Sequence, residues 1–174
     1  TARHLLTADG HVPLTLGGRG IAAPVAAVEL LDPWSGERLG LAGALPDAAL
    51  RATRADDPAA DCIWFPLDPA RSIGLPVREL DRRLPAVDQP VFVLGAAPEG
   101  AFFTRWRHRA HVIRVDADVL EIRMADLSMS FDGLSGAPVV DADGRVRGLV
   151  VRGPGYLGAV ACLTSPRLDA LIAA

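Results

Sequence analysis

The strongest constraint on the fold is the way short apolar segments alternate with Gly-, Pro- and Asp-rich turns along the chain. Short segments that alternate or run apolar between turn residues are typical of β-strands. Asp143-Gly144 between two apolar runs is a strong hairpin signal. The predicted strands are Pro24–Leu31, Leu50–Arg54, Cys62–Leu67, Pro90–Leu94, Ala101–Trp106, His111–Val115, Leu120–Met124, Pro138–Val140, Val146–Val151 and Leu157–Leu163.

Only the C-terminal segment has a convincing helical pattern. Thr164 or Ser165 is a suitable N-cap, and Pro166 falls in the first turn. Leu168, Leu171 and Ile172 recur on one face. Many short strands and one terminal helix predict an all-β barrel or sandwich.

Composition narrows the possible functions. The 174 residues are enough for one domain with a sizeable core, and 50% of them are hydrophobic. The net charge is −3 and no basic run stands out, so no nucleic-acid partner is expected. No apolar run is long enough to span a membrane, so no membrane association is expected.

Cys62 and Cys162 are too few for a disulfide framework, and two buried thiols are favoured over one bridge. This usage leans towards a reducing, cytoplasmic compartment. The cysteines and histidines lack the spacing of metal ligands, and no glycine loop has a phosphate-binding context. We therefore expect no metal and no cofactor.

Ser135 lies in a Gly-x-Ser-Gly-x-Pro sequence from Gly133 to Pro138. Glycines beside a serine allow a sharp backbone turn, in which the N–H groups of Gly133 and Ser135 could stabilise an oxyanion. The small Ala137 would keep the approach open. Ser135 is therefore either a turn residue or a nucleophile, and a nucleophilic serine needs a base.

The chain has four histidines, at positions 4, 11, 108 and 111, and none of them follows Ser135. This order excludes an α/β-hydrolase, in which the histidine comes last. His108 and His111 lie in an Arg-rich segment, 105–114, that is predicted to be a solvated hairpin. Taken alone, each histidine fits a surface or structural role better than that of a base.

Three motifs together resemble the chymotrypsin/trypsin-like serine peptidases. "TARH" (Thr1–His4) resembles the motif with the catalytic histidine, and "ADCIWFPL" (Ala60–Leu67) resembles the strand with the catalytic aspartate. "GLSGAPVVDADGRVRGLV" (Gly133–Val150) resembles the nucleophile motif and the strand after it. The order His, Asp, Ser is that of chymotrypsin, with the short spacings of compact bacterial members.

The resemblance implies two antiparallel Greek-key β-barrels with a short C-terminal helix, forming a single peptidase domain over residues 1–174. The first half-barrel would span about 1–75, the second would span 89–174, and Ser72–Asp88 could be the seam between them. The family places one or two strands before the histidine motif, whereas this chain begins at Thr1. We expect those strands to come from a longer precursor or a fused regulatory protein, unless the first barrel closes in another way.

The resemblance also implies the site. Ser135 would attack the scissile carbonyl, His4 would act as base, Asp61 would orient it, and Gly133 and Ser135 would supply the oxyanion hole. Asp56 and Asp57 are rivals for the aspartate, but they lie in a sequence typical of a solvated turn. Met129 would form the floor of the specificity pocket and Val151, Arg152 and Gly153 one wall.

The departures from the family pattern carry their own expectations. A methionine floor favours apolar or small substrate side chains. Leu134 stands where digestive members have the aspartate of their zymogen switch, so that switch should be absent. The functional expectation is a serine endopeptidase acting on protein or peptide substrates. The alternatives are an inactive peptidase-fold binding module and a peptidase module of a larger regulatory protein.

Overall fold

The computed structural model describes residues 29–31, 38–41, 62, 78–95, 98–99, 102–103, 107–128, 131, 133–153 and 158–173. The strands are β1 (Glu29–Leu31), β2 (Arg38–Leu41), β3 (Pro90–Val93), β4 (Pro98–Glu99), β5 (Phe102–Phe103), β6 (His108–Val115), β7 (Val119–Met124), β8 (Pro138–Val140), β9 (Val146–Arg152) and β10 (Ala159–Thr164). Helix α1 follows at Ser165–Ala173.

Six of these strands form a closed barrel in the order β10-β7-β6-β3-β8-β9, with every neighbouring pair antiparallel. Closure leaves no unpaired strand edge. β1 pairs with β2, and β4 pairs with β5, in two separate hairpins. The barrel and its terminal helix confirm the predicted mostly β architecture.

Inward-facing aliphatic side chains fill the barrel because alternate residues of each strand point to the same side. The buried cluster consists of Val91, Val93, Ala110, Val112, Leu120, Ile122, Met124, Leu134, Ala137, Val139, Val150, Val160 and Cys162. A second cluster lies between the barrel wall and α1 and contains Cys62, Val151, Leu163 and Leu168. On β9, Val150 belongs to the first cluster and Val151 to the second.

Two predicted local features are confirmed. The β8–β9 connection is the expected tight turn: Gly144 has φ 82° and donates its N–H to the Asp141 carbonyl at 3.1 Å. At the start of α1, the Thr164 hydroxyl accepts the Arg167 N–H at 3.3 Å, which makes Thr164 the N-cap.

The state of the two cysteines also agrees with the expectation of two buried thiols. Cys62 and Cys162 are both buried thiols. Burial raises the pKa of Cys162, so its sulfur stays protonated inside the barrel.

The predicted hairpin at 105–114 is wrong. His108–Val115 is a single strand of eight residues, paired with β3 on one side and β7 on the other. Arg109 and Arg114 are exposed while His108 and Ala110 are buried, so these two of the arginines that suggested a solvated hairpin are at exposed positions of a barrel strand.

The part of the predicted seam that the structure describes, residues 78–88, is fastened to the barrel at its start. Val146 donates its N–H to the Glu79 carbonyl at 2.8 Å, and Asp81 donates its N–H to the Val146 carbonyl at 3.0 Å. The Ser165 hydroxyl also donates to the Asp81 carbonyl. These bonds connect the seam to both β9 and α1.

A buried ion network reinforces this attachment. Arg147 Nη1 lies 2.8 Å from Asp81 Oδ2, and Arg147 Nη2 lies 2.7 Å from Asp141 Oδ2. Hydrogen bonds from the side chain and backbone of Arg83 hold the pKa of Asp81 well below its ordinary value. Burial alone would raise the pKa of Asp141, but hydrogen bonds from the Arg145 N–H and the Arg147 guanidinium outweigh it and lower the pKa.

Most of the predicted first half-barrel, including the predicted strands at 50–54 and 63–67, lies outside the described residues. The structure describes β1, β2 and Cys62 from this half.

Candidate active site

The Ser135 loop consists of two consecutive β-turns that share Leu134. The Leu134 N–H donates to the Phe131 carbonyl at 3.2 Å, and the Ala137 N–H donates to the Leu134 carbonyl at 2.9 Å. Gly133 has φ 82° and Gly136 has φ 83°. Each glycine therefore occupies the third position of its turn, where a positive φ excludes most side chains. Ser135 occupies the second position of the second turn.

Leu134 and Ala137, which flank Ser135-Gly136, anchor the loop in the barrel. Leu134 is 2% exposed and Ala137 is 8% exposed, and both belong to the barrel core. The Gly136 N–H donates to the Val150 carbonyl at 2.7 Å, and the Val150 N–H donates to the Ala137 carbonyl at 2.9 Å. Ser135 itself is half-buried. The loop thus holds a partly accessible serine between two buried neighbours and along strand β9.

The predicted oxyanion donors lie in the same pair of turns. Gly133 is exposed and Ser135 is half-buried, and Leu134 separates them. A hole of this kind needs N–H groups held in a fixed position before reaction. The two turns are held by hydrogen bonds of the Leu134, Gly136 and Ala137 N–H groups.

The other predicted catalytic residues, His4 and Asp61, lie outside the described residues, as do the rival aspartates Asp56 and Asp57. Of the predicted triad, the structure describes Ser135. It also places Cys62, the residue after Asp61. Cys62 is 9% exposed and packs in the cluster on the outer side of β9 that includes Val151.

The predicted pocket residues are only partly described. Met129 lies outside the described residues. Val151 is 1% exposed and faces the cluster under α1, so only its backbone could line a pocket. Arg152 and Gly153 are exposed at the end of β9. All three follow Val150, whose carbonyl accepts the Gly136 N–H of the Ser135 loop.

Sequence analysis missed the support beneath the loop. His108 is 5% exposed, and its Nε2 lies 2.7 Å from the Gly95 carbonyl oxygen. Gly95 in turn packs against Leu134 and Ala137. The alternation of His108, Ala110 and Val112 could have revealed this inward-facing histidine, because residues two apart on a strand share a face.

Within the described part of the chain, no three His, Cys, Asp or Glu side chains are grouped as metal ligands would be. Among the same residues, no helix is both long and apolar enough to cross a bilayer.

Comparison with solved structures identifies the fold. A Glu endopeptidase superposes with a TM-score of 0.58 at 14% identity, covering 77% of this chain and 62% of its own. The HtrA-type protease AlgW, solved with a decapeptide, has a TM-score of 0.55 at 16% identity, covering 90% of this chain and 46% of its own. The active form of the Rv3671c protease from M. tuberculosis has a TM-score of 0.53 at 18% identity, covering 84% of this chain and 78% of its own.

The chain therefore has the chymotrypsin-like fold of trypsin-like and HtrA-type serine proteases, and the resemblance seen in its sequence motifs is confirmed at the level of fold. It spans less than two thirds of the Glu endopeptidase chain and less than half of the AlgW chain. No family model and no curated protein matches its sequence.

Proposed function

We propose that the protein is a serine endopeptidase with Ser135 as its nucleophile. The observation that carries the proposal is the loop itself: a serine at a glycine-framed turn, fixed by two buried neighbours and by the Gly136–Val150 hydrogen bond, in a chymotrypsin-like barrel. A turn alone requires its two glycines but does not require a serine between them.

The reaction follows from the residue types. The Ser135 hydroxyl attacks the scissile carbonyl while His4 takes its proton, and the N–H groups of Gly133 and Ser135 stabilise the oxyanion. His4 then gives the proton to the leaving amine as the C–N bond breaks, which leaves an acyl-enzyme. Water hydrolyses this ester, again with His4 as base, while Asp61 keeps the imidazole in the required orientation.

The position of Cys62 supports Asp61 over Asp56 and Asp57. Cys62 packs beside Val151, and the residue before Val151 holds the Ser135 loop by its carbonyl. Asp61 is the residue directly before Cys62. Asp56 and Asp57 are at least four residues further from this contact.

We also propose the two-barrel arrangement within a single domain, with residues 1–75 as the first half and 89–174 as the second. The active site would lie between them, as the motif positions require. The closed barrel formed by the described residues of 89–174 supports the second half. A protein or peptide would be the substrate.

The specificity proposal is a pocket for apolar or small side chains, with Met129 as its floor and the backbone of Val151 to Gly153 along one wall. A thioether offers no charge to pair with Arg or Lys. A peptide library that varies the residue before the scissile bond tests this directly. Preferred cleavage after Arg or Lys would contradict an apolar pocket.

Labelling with a fluorophosphonate probe, read by intact mass, tests the nucleophile. We expect one adduct on the wild-type chain, no adduct on Ser135→Ala, and an unchanged adduct on Ser128→Ala, a matched serine on an exposed loop. The same comparison in a chain extended upstream shows whether added strands are needed to position His4. Absence of labelling in both folded chains would reject the peptidase and favour the binding module.

A further inference from the structure

His108 is a buried histidine that the proposed triad does not use. It begins strand β6 and is 5% exposed. Its Nε2 lies 2.7 Å from the carbonyl oxygen of Gly95. A carbonyl oxygen can only accept a hydrogen bond, so Nε2 must carry the hydrogen and donate it. The bond therefore fixes both the tautomer of His108 and the direction of the Gly95 carbonyl.

Gly95 lies directly beneath the Ser135 loop. A Cβ atom at this position would be 3.0 Å from Leu134 Cδ2 and 3.2 Å from Ala137 Cβ, which is closer than most real Cβ contacts. Gly95 therefore lies close to Leu134 and Ala137, the two buried residues that flank Ser135-Gly136. Because interiors are close-packed, a shift of the Gly95 backbone is passed to these neighbours.

We propose that His108 is a positioning residue for the nucleophile: its hydrogen bond to Gly95 holds the backbone on which Leu134 and Ala137 rest. The proposal deepens the peptidase function and rests on it for its consequence in catalysis. Glycine has more conformational freedom than any other residue, so a strand end at Gly95 gains most from an added bond. Sequence-neighbouring Leu94 is held separately, by its N–H to the Pro138 carbonyl at 3.0 Å.

A histidine that only fills the core would predict a different result from one that positions the loop. Loss of packing lowers the stability of the whole barrel but leaves each folded molecule as reactive as before. Loss of positioning lowers the reactivity of the folded molecules, because a displacement of about 1 Å near a reacting atom can cost about 100-fold in rate. The two effects separate when reactivity is measured per folded molecule.

The experiment compares His108→Gln, His108→Asn and His108→Leu by the second-order rate of fluorophosphonate labelling at Ser135, at a temperature where all are folded. Glutamine places an N–H donor near the position of Nε2, asparagine is too short to do so, and leucine has no donor. We expect His108→Gln to remain within about threefold of wild type, and His108→Leu and His108→Asn to fall by about tenfold or more. His111→Leu, on the same strand but half-buried, is the matched control and should label normally.

Equal labelling rates in all four variants would overturn the positioning role, and so would equal losses in His108→Gln and His108→Asn. If His108→Leu does not fold, the Gln and Asn pair still decides the question.

Hydrogen–deuterium exchange separates this proposal from the peptidase function. We expect the amides of Leu134, Gly136 and Ala137 to exchange faster in His108→Asn than in His108→Gln, whether or not Ser135 reacts with the probe. Faster exchange in His108→Asn, together with a wild-type chain that never labels, would reject the peptidase and keep the His108 contact as the support of the loop. Unchanged exchange in His108→Asn would reject the contact itself.

Discussion

Leu134→Ala removes the side chain that anchors the Ser135 loop in the barrel core, and we expect it to lower the free energy of unfolding. Leu134 is among the largest fully buried side chains of the described residues. Truncating a buried leucine to alanine costs about 2–5 kcal/mol, depending on how far the site can collapse. Two hydrogen bonds, one to the carbonyl and one from the N–H of Val150, hold the loop and limit its collapse. We therefore expect the free energy of unfolding to fall by about 3 kcal/mol.

Scanning calorimetry measures this loss. In a chain of this size each kcal/mol corresponds to about 2–4 °C, so Tm should fall by about 6–12 °C. Leu84→Ala is the matched control, because Leu84 is 45% exposed and its truncation should cost less than about 1 kcal/mol. Leu134→Met keeps the volume and should cost less than about 1.5 kcal/mol.

The same variants test whether anchoring matters for chemistry. At a temperature where each is folded, we expect Leu134→Ala to react with the fluorophosphonate probe more slowly than Leu134→Met and Leu84→Ala. Equal Tm shifts for Leu134→Ala and Leu84→Ala would refute the burial reasoning. A lowered Tm with unchanged labelling per folded molecule would show that the loop keeps its geometry without the anchor.

Three further outcomes follow from the described contacts. Arg147→Met leaves Asp81 and Asp141 without the guanidinium that they share, so urea unfolding should show that the free energy of unfolding falls by about 3–5 kcal/mol. The control is Arg82→Met at an exposed ion pair, which should lower it by less than about 1 kcal/mol. Equal losses would contradict burial as the cause. The pKa values of these two aspartates are lowered below the ordinary 3.8. The stability that they contribute is therefore complete above the unfolded-state pKa and is lost as pH falls from about 5 towards the folded-state pKa values. Asp141→Asn should flatten this acid limb of a plot of Tm against pH, and a curve parallel to that of the wild type would contradict the prediction. Gly148→Ala should prevent native folding by circular dichroism, because its Cβ would meet the Leu163 carbonyl of β10, whereas Gly153→Ala, with open space around it, should fold normally.

The architecture could be read from the sequence because short periods and turn residues are local signals. Asp143-Gly144 specified the β8–β9 turn, and the Thr164 cap specified the start of α1. The error at 105–114 has a physical cause: Arg109 and Arg114 are the exposed positions of β6, and these charges hid the alternation of the buried His108, Ala110 and Val112. The charged residues mark exposed positions of a strand, whereas the sequence analysis interpreted them as a solvated hairpin.

The site was less accessible to sequence reasoning. The Gly-x-Ser-Gly spacing pointed to Ser135, but the bond between His108 on β6 and Gly95, two residues after β3, has no sequence motif. The packing of Cys62 against β9 likewise has no sequence motif. Contacts between segments far apart in sequence depend on register and packing, which a single sequence does not encode in any local pattern.

The geometry of the loop accounts for the residues around Ser135. Gly133 and Gly136 are explained by backbone conformation, since each has a positive φ at the third position of a turn. Leu134 is explained by burial in the core. The second position of a turn accepts many residues, so neither conformation nor packing demands a serine there. Ser135 is half-buried in this loop of a protease-fold barrel, so we test it first as a nucleophile: loss of the fluorophosphonate adduct in Ser135→Ala supports that role, and an unchanged adduct supports a turn residue.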